Sequence, residues 1–215
     1  MNHSLTNRPI DFRLKAPFTA VISGPTGCGK TQLLFRLISD SVNVCNKPPH
    51  EVIYCYGAWQ PAFDNANGVT FHEGMIDVST DIPNDNLHRW LIIDDLMSDD
   101  SSMKHINDIF TKGSHHRNIS VFFMLQNLFY KNVRTISLNA QYFFLFKNPR
   151  DGMAVTNLAK QSFPSRIKFV RESFELATEK PYSHLMIDFR QETDSQLRLV
   201  SNFVSSEMIV YVPKQ

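Results

Sequence analysis

Residues 24–31 read GPTGCGKT, and this octapeptide restricts the fold of the chain more than any other feature. It satisfies the pattern G-x-x-x-x-G-K-S/T, in which glycines let successive backbone N–H groups point at phosphate oxygens. The apolar run Phe18–Ser23 precedes it, and an amphipathic segment from Lys30 to Ser41 follows it. A strand, a glycine-rich loop and a helix in this order predict a phosphate site at the helix N-terminus.

This loop predicts a site for ATP and Mg²⁺. Lys30 is expected to reach the β- and γ-phosphates, and the hydroxyl of Thr31 is expected to bind Mg²⁺. A loop that binds nucleotide without hydrolysing it remains an alternative. Nine consecutive residues are predicted to contact the nucleotide: Gly24, Pro25, Thr26, Gly27, Cys28, Gly29, Lys30, Thr31 and Gln32.

A pair of carboxylates follows another apolar run, WLIID at residues 90–94. Ligands of open α/β sheets bind at the carboxyl ends of the strands, which is where Asp94 and Asp95 fall. Asp94 is predicted to contact Mg²⁺ through a water molecule. Asp95 is predicted to orient or deprotonate the water that attacks the γ-phosphate. The alternative is a solvated acidic turn, because Asp99 and Asp100 follow closely.

The apolar run SVFFML at residues 120–125 carries polar residues at both ends. Gln126 follows it and is predicted to hydrogen-bond the γ-phosphate or the attacking water. Arg117 lies at the opposite end, so it is predicted to reach the phosphate of a neighbouring subunit as an arginine finger. An ordinary surface arginine is the alternative. His115 and His116 are interpreted as polar loop residues, because no third metal ligand accompanies them.

The remaining apolar runs predict an α/β fold with a mainly parallel sheet flanked by helices. Uninterrupted apolar strands are typical of a sheet that is covered on both faces. Residues 59–86, punctuated by proline and glycine, are predicted to form long loops. We predict one domain with a core at about 16–160 and a C-terminal helix and β extension at about 165–215. The predicted strands are 18–23, 51–56, 90–94, 120–125 and 141–146, with short strands at 185–189, 197–203 and 208–212; the predicted helices are 30–41, 103–111, 133–139 and 153–161, with a further short helix to about 176.

Composition limits the functional classes. The formal net charge is +1, so any contact with nucleic acid must come from a local patch. Three cysteines without a C-x-x-C spacing argue against a disulfide framework and against a zinc site. The N-terminus is polar, and no segment has the apolar length of a membrane helix. These features predict a soluble intracellular protein with no membrane partner.

Charge is distributed unevenly along the chain. Residues 73–108 hold nine acidic and two basic side chains, whereas residues 112–150 hold six basic and no acidic ones. The basic segment, with Phe129 and Tyr130 within it, is predicted to face either a DNA backbone or an acidic surface of another subunit. Lys131 and Arg134 are candidates for DNA contact.

Four stretches together resemble a known superfamily: GPTGCGKT, LIIDDLM, SHHRNISVFFMLQNLF and FLFKNPRD. They are similar to the FtsK–HerA P-loop ATPases, and within them to the poxvirus-type genome-packaging ATPases of large DNA viruses, adintoviruses and Polinton/Maverick elements. The resemblance runs from about Phe18 to Asp151. The loop is shared by many NTPases, whereas its combination with the Asp-Asp pair, Gln126-Asn127 and Lys147–Arg150 is more specific.

The resemblance implies a RecA-like core that assembles into a ring and moves double-stranded DNA. It assigns functional roles to Gln126 and Arg117 and makes Asp95 the counterpart of a catalytic acid that is Glu in many superfamily members. It further implies a capsid protein as a partner and a location in the host cytoplasm or nucleus, or with the virion. The residues alone leave two other classes open: a small nucleoside or nucleotide kinase, and a nucleotide-gated assembly protein without turnover.

Overall fold

The structure, a computed structural model, describes residues 10–96, 100–110, 117–128 and 134–214. Within these ranges nine strands form one sheet in the order β3-β2-β4-β5-β1-β6-β7-β8-β9. The strands are β1 (Thr19–Ser23), β2 (Glu51–Tyr56), β3 (Val69–Glu73), β4 (Arg89–Asp94), β5 (Ile119–Leu125), β6 (Tyr142–Phe146), β7 (His184–Asp188), β8 (Leu199–Ser201) and β9 (Ile209–Tyr211).

The sheet has a parallel part and an antiparallel part. All pairings from β3 across to β6 are parallel, whereas β7, β8 and β9 are added antiparallel to β6. Every residue of β1, β4, β5 and β6 is buried, as expected for strands covered on both faces. The strand that leads into the phosphate loop, β1, therefore lies between β5 and β6, two strands away from β4.

Helices cover both faces of the sheet. The first two pack on one face, where Leu34 and Leu37 join the core with Phe122 and Phe144. The other four pack on the opposite face, against a core that contains Val121. The helices are α1 (Lys30–Ser39), α2 (Ser41–Val44), α3 (Asp100–Asp108), α4 (Arg134–Asn139), α5 (Ala154–Ser162) and α6 (Ile167–Ala177), and a 3-10 helix spans Pro61–Asn65.

The predicted α/β class and the mainly parallel sheet are confirmed, and each predicted strand is present within two residues of its expected ends. The loop predicted for residues 59–86 is wrong in part, because it contains the 3-10 helix and β3. This strand was missed because its side chains are only half-buried or exposed, so it lacks an apolar pattern; backbone pairing with β2 at the edge of the sheet defines it.

One further expectation differs in detail, because the helix predicted at 103–111 begins earlier, at Asp100. The predicted C-terminal β extension is present as β7, β8 and β9, which extend the main sheet. Several residues interpreted from the sequence lie outside the described ranges: Lys112, His115, His116, Phe129, Tyr130 and Lys131.

None of the helices in the described part of the chain has the length and apolar character required to cross a membrane.

One buried histidine makes the stability of the folded protein depend on pH. His184, at the start of β7, packs its ring against Phe144 and Phe146, and its Nε2 has no hydrogen-bond partner within the described ranges. Burial lowers its pKa to about 4. The folded protein thus keeps this imidazole neutral at pH values where the unfolded chain, with a pKa of about 6.5, already binds a proton. Stability is therefore lost as the pH falls from about 6.5 towards 4.

We expect His184→Leu to remove this loss. Between pH 7 and pH 5 the unchanged protein should lose about 2 kcal/mol more unfolding free energy than the variant. Burial also lowers the pKa of His88. Its effect on the unfolding free energy is the same in the unchanged protein and in the variant, so it cancels when the two are compared. Denaturant unfolding of both proteins at several pH values measures the effect, and parallel pH profiles would contradict it.

Candidate active site

The phosphate loop connects β1 to α1 in the predicted manner. The Gly24 N–H donates to the Leu125 carbonyl at 3.1 Å, which ties the start of the loop to β5. A Cβ on Gly24 would lie 2.6 Å from the Phe146 Cβ and 2.7 Å from the Cys28 Sγ, so only glycine fits there. Gly29 caps α1 with φ 103°, a left-handed conformation that favours glycine. The loop therefore needs glycine at its first and last turns for separate physical reasons.

The amino group of Lys30 lies within the loop. Its Nζ donates to the carbonyl oxygens of Gly24 at 2.6 Å and Pro25 at 3.1 Å. Lys30 is the first residue of α1, so the positive end of the helix dipole lies beside the ammonium group. Two sources of positive potential, the ammonium group and the helix N-terminus, are thus combined where phosphate oxygens are predicted to bind.

Asp94 is buried at the end of β4 and is held by two side chains. The Tyr54 hydroxyl donates to its Oδ2 at 2.7 Å, and Gln60 Nε2 donates to the same oxygen at 3.3 Å. Burial raises the pKa of the Asp94 carboxyl, while the Tyr54 bond and the charge of Lys30 act in the opposite direction. Tyr54 therefore orients one of the two predicted metal ligands, Asp94.

Asp95 has a different environment from its neighbour. Its side chain is exposed, and its backbone is left-handed with φ 56°. Asp is one of the few residues that tolerate this conformation, and such outliers concentrate at functional sites. A Cβ on Gly57 would lie 3.0 Å from the Asp95 carbonyl oxygen, so Gly57 permits the close approach of this turn. The sharp turn directs the Asp95 carboxylate into solvent while that of Asp94 stays buried.

These groups line one cleft of about 340 Å³ at the carboxyl edge of the sheet. Lys30 and Thr31 lie on its loop side, while Asp94, Asp95 and Gln126 come from the ends of β4 and β5. Gln126 also lines a second cleft of about 220 Å³, together with the ends of β1 and β6 and residues of α5 and α6. Four of the predicted catalytic and metal-binding residues and the predicted nucleotide-binding Lys30 are thus brought to one cleft, although they are separated by up to about 100 positions in the chain.

Arg117 is not part of this cleft. It precedes β5 at the opposite edge of the sheet, where its Nη1 donates to the carbonyl oxygens of Val78 at 2.8 Å and Ile82 at 3.0 Å. It is half-buried, so it is not the ordinary surface arginine that the sequence left open. Within its own chain it ties the loop before β4 to the start of β5. Its action on a neighbouring subunit stays a prediction.

Tyr54 and Gln60 were missed by the sequence analysis. Tyr54 lies in the middle of the apolar run EVIYCY and was interpreted only as a strand residue. A buried tyrosine hydroxyl needs a hydrogen-bond partner, so a tyrosine in a buried strand next to the acidic strand was the available signal. Gln60 follows the strand in a loop, and no local pattern distinguishes it.

The residues present fit Mg²⁺ bound together with a nucleotide. Thr31 and Asp94 offer a hydroxyl and a carboxylate, the oxygen ligands that this ion prefers. Among the residues that the structure describes, no group of three His, Cys, Asp or Glu side chains could hold a metal. Such a partial protein ligand set is typical of Mg²⁺ sites, which take their other ligands from phosphates and water.

Comparisons with known proteins agree with the fold. No protein-family model matches the chain, and no curated protein matches it. The cytoplasmic domain of the Thermomonospora curvata type VII secretion ATPase EccC superposes with a TM-score of 0.54 over 86% of this chain. The chain has the fold of a P-loop ATPase domain. At 12% identity the likeness concerns the fold, and the chain spans 27% of that ATPase.

A second EccC structure gives a weaker match. It contains ATPases 2 and 3 of the Thermomonospora curvata protein in complex with a signal sequence peptide. The TM-score is 0.48 at 11% identity, over 93% of this chain and 37% of that one. The chain spans less than two fifths of the length of either structure.

Replacing Tyr54 by phenylalanine tests its role in holding Asp94. We expect Tyr54→Phe to lower the free energy of unfolding by about 1–2 kcal/mol, because a buried carboxylate loses a donor. The Mg²⁺ concentration for half-maximal ATP hydrolysis should rise as well, since the ligand is less firmly oriented. Denaturant unfolding and Mg²⁺ titration measure these effects. Tyr56→Phe, the same change two residues along the strand, is the matched control, and equal effects of the two changes would contradict the assignment.

Proposed function

We propose that this protein is an ATP-driven double-stranded DNA translocase that acts as a ring oligomer and packages a viral or virus-like genome into a capsid. The observation that carries the ATPase part is the convergence of Lys30, Thr31, Asp94, Asp95 and Gln126 on one cleft in a P-loop ATPase fold. DNA translocation and packaging rest on the resemblance of the sequence from Phe18 to Asp151 to the FtsK–HerA packaging ATPases.

In the proposed reaction, water attacks the γ-phosphorus of ATP in line with the bond to the bridging oxygen. That bond breaks, ADP leaves, and a water proton passes to the Asp95 carboxylate. Lys30 neutralises charge on the β- and γ-phosphates, and Gln126 hydrogen-bonds the attacking water or the γ-phosphate. Thr31 and Asp94 would hold Mg²⁺, which would neutralise phosphate charge when it is bound. The exposed carboxylate of Asp95 suits a proton acceptor, whereas the buried Asp94 suits a fixed ligand.

Basic side chains near the same edge support a DNA contact. Arg134 is exposed at the start of α4, and Lys147 and Arg150 are exposed after β6. Positive side chains that surround a central channel would bind the phosphate backbone without reading its sequence. Lys131 is a candidate for the same contact. Under this proposal the partners are duplex DNA, further copies of the chain and a capsid protein, and the protein acts in the host cytoplasm or nucleus, or with the virion.

The rate of ATP hydrolysis with and without duplex DNA tests the proposed function. We expect turnover that requires Mg²⁺ and that duplex DNA increases. Single-stranded DNA at equal nucleotide concentration is the control for non-specific charge. Turnover unchanged by duplex DNA would contradict translocation. Phosphoryl transfer to a nucleoside, detected by product analysis, would assign a kinase instead. Tight ATP binding without turnover in the assembled protein would assign a nucleotide-gated assembly protein.

Mixing two inactive variants tests the action of Arg117 on a neighbouring subunit. An Arg117→Ala subunit keeps Asp95, and an Asp95→Asn subunit keeps Arg117. In a mixed ring some interfaces combine the two unaltered side chains, so the mixture should recover turnover that neither variant shows alone. No recovery, with mixed rings verified by co-purification of two tags, would restrict Arg117 to the contacts with Val78 and Ile82 in its own chain.

A further inference from the structure

We propose that Tyr182 holds the base of the bound nucleotide by stacking against it, an inference that rests on the proposed nucleotide site. Tyr182 lies in the turn between α6 and β7, in the C-terminal part of the chain that the sequence motifs do not cover. This turn thereby becomes part of the ATP site.

The ring of Tyr182 lies against the phosphate loop. A Cβ on Gly29 would lie 3.4 Å from Tyr182 Cδ1 and 3.5 Å from Tyr182 Cβ, so the tyrosine side chain is in van der Waals contact with the loop. Tyr182 also lines the cleft that contains Lys30 and Thr31. The aromatic side chain is therefore a wall of the same cleft that is predicted to hold the phosphates.

Two features of Tyr182 are unfavourable for an ordinary turn residue. Its side chain is 68% exposed, although a tyrosine ring gains stability from burial. Its backbone is left-handed with φ 64°, a conformation that is strained for a bulky residue. Strain and exposure at one residue beside a functional loop point to a ligand contact. Stacking on a planar base would bury the exposed ring face.

The sheet order puts Tyr182 at the expected end of the nucleotide. Asp94 and Asp95 follow β4, two strands from β1 on one side, and Tyr182 precedes β7, two strands from β1 on the other side. With neighbouring strands about 4.8 Å apart, β4 and β7 each lie roughly 10 Å from β1, on opposite sides. A triphosphate whose γ-phosphate faces the two carboxylates therefore extends its base towards Tyr182.

The far side of the ring also suits a nucleotide. Tyr182 also lines a hollow of about 280 Å³ whose charged lining residues are Lys147, Glu179 and Lys180. Two lysines against one glutamate leave this hollow positive on balance, on the side where the ribose and α-phosphate would leave the loop. Phe146, which also lines it, offers further apolar surface beside the ring.

Binding of Mg-ADP and of Mg-pyrophosphate tests the inference, since the two ligands share the phosphates and only ADP carries the base. Tyr182→Gly removes the ring and accepts the left-handed backbone, so the turn should keep its conformation. We expect this variant to bind Mg-ADP about tenfold more weakly, from the loss of one aromatic–base stack. Its Kd for Mg-pyrophosphate should stay within about twofold of the original, because backbone and lysine contacts dominate phosphate binding. Tyr182→Phe keeps the ring and should bind both ligands normally.

The possible results distinguish the base contact from the nucleotide site itself. If the unchanged protein binds Mg-ADP and Tyr182→Gly binds it equally well, the base contact is overturned and the nucleotide site stands. Equal losses for ADP and pyrophosphate would show that Tyr182 supports the loop instead of the base, which also overturns the inference. If the unchanged protein binds neither ligand, the proposed function fails together with the inference.

Discussion

Asp95→Asn is expected to abolish ATP hydrolysis while ATP still binds. Loss of a positioned proton acceptor should lower kcat by about a hundredfold or more. Asn accepts the left-handed backbone found at this position, with φ 56°, so the turn after β4 should be preserved. Because Asp95 is exposed and Asp94 stays intact, nucleotide affinity should change little.

Single-turnover hydrolysis and equilibrium binding of Mg-ATP measure the two parts of this prediction. Asp194→Asn, at an exposed aspartate between β7 and β8, is the matched control and should behave as the unchanged protein. Hydrolysis at a normal rate in Asp95→Asn would show that another group accepts the proton. A large loss of Mg-ATP affinity would assign Asp95 to ligand binding instead.

Lys30→Ala is expected to impair both binding and turnover. The ammonium group is the cation at the centre of the loop, where it lies against the Gly24 and Pro25 carbonyl oxygens. Its removal takes away charge-assisted hydrogen bonds to the phosphates, so ATP affinity and kcat/KM should each fall by about a hundredfold. The fold should remain, because the side chain lies in a loop cleft and not in the core.

Equilibrium binding of Mg-ATP, steady-state kinetics and circular dichroism check the three parts of this expectation. Lys160→Ala, at an exposed lysine on α5 away from the loop, is the control for loss of one positive charge. Unchanged kcat/KM in Lys30→Ala would contradict the interpretation of GPTGCGKT as a working phosphate loop. Loss of the circular dichroism signal would mean that Lys30 also supports the fold.

The central part of the fold could be predicted because its signals are local. The runs around Val21, Ile92 and Phe123 are uninterrupted apolar strands, and the loop motif fixes which of them leads into α1. The positions of Asp94, Asp95 and Gln126 follow from one rule, that strand ends in a parallel sheet meet at the same edge. Their convergence on one cleft could therefore be predicted without knowing how the side chains pack.

The parts that could not be predicted depend on contacts distant in the sequence. β3 has no apolar pattern, and its strand character comes from pairing with β2. Tyr54 acquires its role from a carboxylate 40 positions away. Tyr182 is an unremarkable residue in the sequence, and only the return of β7 to the sheet brings it against Gly29. Arg117 could be assigned to the correct edge of the sheet, but its bonds to two loop carbonyls could not be foreseen.

The antiparallel pairing of β7 with β6 affects how the C-terminal part can be studied. β6 reads YFFLF, all buried, and β7 covers one of its two hydrogen-bonding edges over five residues. A chain shortened before His184 would present an apolar edge with unpaired amides and carbonyls, which is a template for aggregation. The outer edges of the intact sheet are instead the half-buried or exposed β3 and the three-residue β9. β7 thus covers the edge of β6, and the function of the C-terminal part is accessible to point substitution and not to truncation.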